Sequence, residues 1–213
     1  MASQTTTLHR ARERGLVQAT RALFDERGMQ DAPIEEIAKA VGIARGLIYR
    51  QFASKEELYV LTVTDYLDEL AGVLDEAFGT EAEPAAQLER GVRAYAEFCS
   101  RYPAFLDCSL SLMRRPAMEL NAAVSDSVWL RLGSGMARCV EMLTRTLRAL
   151  GAGDPDVLAA VMWTQVLGAM HVARTRVGIR EAQPDVPELF PISSDQVIDA
   201  VVASALATAG ASR

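Results

Sequence analysis

Only two histidines, His9 and His171, and two lysines, Lys39 and Lys55, occur among the 213 residues. A Ser-His-Asp triad or a histidine metal site would therefore rest on His171 alone, because His9 reads as part of an N-terminal tail. Cysteine is nearly as sparse. Cys99, Cys108 and Cys139 are odd in number and lack CxxC spacing, which excludes a disulfide framework and a zinc site and leaves small buried apolar side chains. No apolar run approaches the ~18 residues of a membrane span, and the opening MASQTTTLHRARERG has no apolar centre of a secretory signal. Strand alternation is missing as well. These shortages predict a cytosolic, all-α chain with no catalytic site, no cofactor, no metal and no membrane partner.

The composition that remains is globular: 50% hydrophobic and 23% charged. The net charge of -6 argues against bulk affinity for nucleic acid, but its distribution does not. Residues 1–55 carry nine Lys/Arg against six Asp/Glu, +3, which leaves -9 for the remainder. A basic end on an acidic chain suits a partner with phosphates.

Apolar residues recurring at three and four predict about nine helices. The first covers about 9–27, with Leu16, Ala19, Leu23 and Phe24 inward and Gly28 as its stop. Pro33 opens a second, with Ile34, Ile37, Ala38 and Val41 inward and Gly42 ending it. A third spans about 44–51. Ser54-Lys55-Glu56-Glu57 is a capping box that opens a long helix over about 55–78. Further helices are predicted over 84–100, 103–113, 122–150, 154–177 and 193–208, with Pro116 marking an irregular piece. Residues 178–192 hold three prolines and read as a loop.

Two short helices joined by a glycine turn make a helix-turn-helix. In ARGLIYRQF, Ile48 and Phe52 face inward, and Arg45, Gly46, Tyr49 and Arg50 face outward. Glycine in a helix costs about 1 kcal/mol relative to alanine, so Gly46 makes sense where the backbone must approach another molecule closely. Arginine pairs with guanine or phosphate in a major groove ~12 Å wide, and Tyr49 and Lys55 suit phosphates.

Residues 33–61 resemble the DNA-binding signature of the TetR family of bacterial transcriptional regulators. The resemblance rests on Ile34, Glu36-Ile37-Ala38, Val41-Gly42-Ile43, Gly46, Leu47-Ile48-Tyr49, Phe52 and Ser54-Lys55-Glu56-Glu57-Leu58. It implies a DNA-binding domain over 1–55, with contacts from Arg45, Gly46, Leu47, Tyr49, Arg50 and Lys55. It also implies an effector-binding and dimerisation domain over 56–213, and repression relieved by an apolar or amphipathic small molecule. Two positions depart from the family pattern. Pro33 stands where a hydroxyl residue is common, and Ala44 where a serine is common.

Large apolar side chains mark a candidate pocket. Phe98, Tyr102, Phe105, Leu106, Leu110 and Met113 supply one part. Trp129, Met136, Trp163, Val166, Met170 and Arg174 supply the rest. The last helix carries Val197, Val201, Ser204, Ala205 and Thr208 on one stripe, the candidate homodimer face. The family precedent there is a four-helix bundle across a two-fold axis. The alternatives are an activator or ligand-independent DNA-binding regulator on the same fold, and a helical carrier without DNA binding.

Overall fold

The computed structural model describes residues 2–28, 33–79 and 83–210, with side chains from residue 10 onward. Ten helices and one two-stranded sheet occur among the described residues. They form two compact units. One runs through Glu69 and takes in Tyr102–Met136; the other holds Leu70–Arg101 and the chain from Ala137 on.

The first unit begins with α1 (Ala2–Arg27), which starts seven residues earlier than expected, so the predicted tail has a helical backbone. Leu16, Val17, Leu23 and Phe24 are its buried face. Gly28 follows at φ 80°, a conformation that costs glycine nothing. α2 (Ile34–Val41) buries Ile34, Ile37 and Ala38, and Gly42 caps it at φ 71°. α3 (Arg45–Gln51) buries Ile48 and then Phe52. Neither Pro33 nor Ala44 makes a side-chain cap; their carbonyls accept from the Glu36 and Leu47 amides, at 2.9 and 2.8 Å, and the two amides before each of these have no side-chain cap.

α4 (Lys55–Phe78) is a capping-box helix, and the box extends beyond the expected pattern. Ser54 Oγ accepts from the Glu57 amide at 3.0 Å and donates to the Ala123 carbonyl at 2.6 Å. The Glu57 carboxylate reaches one residue further back than the standard box, accepting from the Ala53 amide at 2.6 Å. Ser125 Oγ donates to it at 2.6 Å. The break between α7 (Ala117–Ala123) and α8 (Asp126–Ala149), expected as one helix from 122, supplies both of these distant partners.

Arg21 holds α1 to α4. Its side chain is 15% exposed and donates to Asp65 at 2.8 Å and to Glu69. Its guanidinium lies 4.1 Å from the Tyr66 ring centre and 5.0 Å from that of Tyr102. The two phenols complete the cluster: Tyr66 donates to Asp25 at 2.6 Å and Tyr102 to Glu69 at 2.7 Å. Burial works against the Arg21 charge, but the hydrogen bonds and charges of Asp65 and Glu69 outweigh it and raise its pKa above the ordinary value. Tyr102 precedes α6 (Pro103–Met113), which buries Ala104, Phe105, Leu106 and Cys108.

In the second unit, α5 (Pro84–Arg101), α9 (Pro155–Ala173) and α10 (Ser194–Thr208) pack on one another, with α8 contributing Cys139, Met142, Leu143 and Leu147 to the buried set. α9 ends at Ala173, four residues before the predicted stop. By length and composition it could cross a membrane, with a mean hydropathy of 1.3, contrary to the expectation that no such stretch exists. Ala159, Met162, Trp163, Val166, Leu167 and Met170 account for part of that apolarity, since they are buried against neighbours. The predicted loop at 178–192 is corrected to a hairpin, β1 (Val177–Gln183) with β2 (Val186–Pro191). Pro184 and Asp185, the latter at φ 63°, make its turn. A two-stranded ribbon has only edges, so Pro187 and Pro191 sit in β2 without costing a ladder bond to a third strand. Val177, Ile179 and Leu189 lie on one face of the ribbon and are exposed, Ile179 at 73% and Leu189 at 67%. α10 has the capping box predicted at Ser193 and Gln196.

Replacing Arg21 with leucine removes the guanidinium that Asp65 and Glu69 share. The expected loss is about 2 kcal/mol, below the 3–5 kcal/mol of a fully buried pair because both carboxylates are about one-third exposed. Urea denaturation of both proteins measures it, and a midpoint unchanged by the substitution contradicts this role.

Candidate functional site

The glycine turn sets the relation of α2 to α3. Gly42 adopts the left-handed conformation, its amide bonds to Lys39, and the Ile43 amide returns to the Ala38 carbonyl at 2.9 Å. Ile48 and Phe52 then anchor the inner side of α3, at 1% and 4% exposure. The opposite side is open: Arg45, Gly46, Tyr49 and Arg50 are exposed, Leu47 is half-buried, and Lys55 is exposed at the start of α4.

This outer face is ordered by its own contacts. Arg45 pairs with Glu35 of α2 at 2.6 Å and lies 5.5 Å from the centre of the Tyr49 ring. A hydrogen bond to Tyr49 and the charge of Glu35 raise the Arg45 pKa. Lys55 Nζ lies 5.0 Å from the Tyr59 ring, which itself meets Phe24 edge to face at 5.2 Å. A methyl group added at Gly46 would meet no atom within 4 Å, so packing among the described residues does not require glycine at this helical position.

The predicted pocket residues divide between the two units. Tyr102, Phe105, Leu106, Leu110, Met113, Trp129 and Met136 fall in the first; Phe98, Trp163, Val166, Met170 and Arg174 fall in the second. Met113 is exposed, and Arg174 caps the C-terminus of α9 in solvent, away from the buried Trp163, Val166 and Met170. The second unit holds an apolar cavity of about 20 Å³ lined by Trp163 and Val166 together with Leu74, Phe78, Gly91, Val92, Tyr95, Cys139, Leu143 and Met162. Sequence reasoning missed Tyr95 and Phe78. No sequence pattern marks them; the structure shows that any side chain at Gly91 would run into the Phe78 ring.

All three cysteines are buried, and none forms a disulfide. Burial pushes the Cys108 thiol up to about 12 and raises that of Cys99, so neither holds a reactive thiolate. Among the described residues, no group of His, Cys, Asp and Glu gathers in a metal-binding arrangement.

On the predicted dimer stripe, Val201 and Ala205 are already buried within their own unit, Val197 and Ser204 are half-buried, and Thr208 is exposed. Gln165 of α9 donates to Ser204 at 3.1 Å. The wider open surface belongs to α9, where Val157, Val161 and Val172 are each more than half exposed and Ala160, Thr164 and Gly168 lie between them.

Comparison with known proteins agrees with this architecture. Residues 16–61 match the family model for bacterial regulatory proteins of the tetR family. The transcriptional activator FasR of Mycolicibacterium smegmatis is 32% identical over 92 residues, 43% of this chain and 42% of that protein. The transcriptional repressor KstR2 of the same organism is 31% identical over 88 residues, 41% of this chain and 43% of that protein. The chain thus spans about two fifths of the length of these curated relatives. The solved structure of the TetR family regulator PfmR from Thermus thermophilus covers 90% of this chain and 97% of its own, with a TM-score of 0.61 at 19% identity, which shows a shared fold. The family model thus falls on residues 16–61, from within α1 into α4, and over nine tenths of its length the chain shares the fold of a TetR family regulator.

Proposed function

We propose that the protein is a cytoplasmic, homodimeric transcriptional regulator without catalytic activity. In this reading it represses from a near-palindromic operator and is released by a small, mostly apolar effector. The observation that carries it is the outer face of α3: Arg45, Tyr49 and Arg50 stand exposed around a glycine that packing among the described residues does not require. A recognition helix presents its N-terminal residues to base edges in the major groove, and a bare backbone there allows the closest approach. Ala44 leaves the first amides of α3 uncapped by a side chain, and Pro33 does the same for α2, which suits phosphate oxygens as partners. Arg45 would exchange Glu35 for the nucleic acid on binding.

A symmetric reader needs two such helices about 34–36 Å apart, hence a dimer. The exposed valines of α9 support the face it uses. Repression is chosen over activation on family precedent, and the two relatives above include one of each kind. A carrier without DNA binding would have no use for the basic outer face of α3.

The direct test is a mobility-shift titration on the protein's own upstream DNA at two salt concentrations with competitor DNA. Competitor-resistant binding that weakens steeply with salt is expected, because each neutralised phosphate releases counterions. A shift that competitor DNA abolishes, or one that salt leaves unchanged, would reject an operator reader.

Gly46→Ala separates fold from function. Helix propensity predicts a gain of about 1 kcal/mol in stability, and the operator contact predicts weaker binding. A variant that is more stable and binds equally well removes Gly46 from the interface. Tyr49→Ala is expected to cost roughly 1 kcal/mol of operator affinity, a few-fold in Kd, with the dimer intact. For the dimer, Val161→Glu places a charge on the open face of α9 without touching its buried side. Sedimentation is expected to find monomers, and a persisting dimer moves the interface off α9.

A further inference from the structure

We propose that the cavity walled by Leu74, Phe78, Tyr95, Cys139, Trp163 and Val166 receives an uncharged, mostly apolar molecule with one hydrogen-bonding oxygen, and that the Tyr95 hydroxyl is the group that reads this oxygen. This rests on the effector-responsive reading above and names the class of effector.

The cavity lining is apolar, aromatic or thiol throughout, and no charged residue belongs to it. A carboxylate entering such a site would lose its water and gain no cation, a cost that an apolar body does not repay. One polar atom stands out. The Tyr95 ring is 4% exposed, and its hydroxyl is fully buried without a hydrogen-bonding oxygen or nitrogen. Its polar neighbours are the sulfurs of Cys99 and Cys139, which are weak partners. Native proteins leave few buried hydroxyls in that condition, because each costs stability that phenylalanine would spare. A tyrosine held unsatisfied in the wall of a cavity is accounted for when its partner arrives with a ligand.

The hydroxyl is ready for that partner. Burial raises its pKa well above the usual phenol, so it stays protonated and donates. Stacking on Trp163, with ring centres 4.1 Å apart and planes 22° from parallel, fixes where it points. A volume of about 20 Å³ holds one water at most, and a water there would find too few polar groups to bind well. A larger guest must displace a side chain. Phe78 is the movable one: its ring occupies the notch left by Gly91, and it is the last residue of α4.

The test uses the full chain and three probes of matched size: acetophenone, neutral with a carbonyl acceptor; isopropylbenzene, with none; and benzoate, an anion. Equilibrium dialysis gives Kd for each on the wild type, on Tyr95→Phe and on Val166→Trp, which fills the cavity. Acetophenone is expected to bind the wild type, to weaken about five-fold on Tyr95→Phe, and to be lost on Val166→Trp. Isopropylbenzene is expected to bind wild type and Tyr95→Phe alike, and benzoate to bind at least ten-fold more weakly than acetophenone. Tyr95→Phe should also melt a few degrees higher, which separates loss of binding from loss of fold. Benzoate binding as tightly as acetophenone, or acetophenone indifferent to Tyr95→Phe, overturns the ligand class while the cavity stands as a site. Binding that survives Val166→Trp, or no probe binding the wild type, overturns the cavity itself.

Discussion

The structure depends most on the joint at Ser54 and Glu57. Ser54 caps the Glu57 amide in the first turn of α4, Glu57 holds the Ala53 amide just before it, and the same two side chains bond to Ala123 and Ser125 at the α7–α8 break. Glu57 is 7% exposed, so its carboxylate is retained only because two donors meet it. Phe52, buried two residues before Ser54, fixes the exit of α3 at the same corner. The direction in which α3 presents Arg45 and Tyr49 is therefore decided by a helix start and by a turn about seventy residues further along the chain. Arg21 performs the equivalent task for α1 and α4, using two carboxylates and two aromatic rings around one guanidinium.

The chain spends its polar groups in these joints and leaves other surfaces bare. α9 shows the consequence. Its inner side is buried by α5 and α10, its outer side still carries Val157, Val161 and Val172, and apolar residues on both sides make a helix that by composition resembles a membrane span. A second protein surface solves that problem as well as lipid does, and small residues at Ala160 and Gly168 permit close helix approach. The exposed Ile179 and Leu189 of the hairpin belong to the same unit and add to its uncovered apolar area.

Most of the helices were legible because caps and prolines punctuate them. Ser54, Ser193, Pro84, Pro103 and Asp154-Pro155 each mark a helix start that the structure keeps within a residue. The hairpin was not legible, since three prolines in fifteen residues argue against strands in general and lose their force only in a ribbon with two free edges. The continuous helix expected from residue 122 failed because tertiary bonding at Ser125 outweighed a helical pattern that runs through it. At the candidate site, the outward set on α3 followed from periodicity alone. The cavity did not, because its distinguishing feature is an absent partner for Tyr95, and no pattern of residues in one sequence reports what a hydroxyl lacks.

α4 gives the proposed regulation a physical route. It begins four residues after α3 ends, in the corner fixed by Ser54 and Glu57, and it ends at Phe78 in the cavity wall. In the structure the cavity is nearly filled and Phe78 is seated against Gly91, which is one packing of this helix end. A guest that takes the place of the Phe78 ring binds only the alternative packing. Ligand affinity and helix position are then two readings of one equilibrium, and the guest shifts that equilibrium by no more than its preference for the displaced state. An oxygen bonded to Tyr95 raises that preference where added apolar bulk does not, because the hydroxyl is unsatisfied in the closed state and satisfied only in the occupied one. In the proposed regulator, the same orphaned hydroxyl that weakens the closed form would provide the free energy for leaving it.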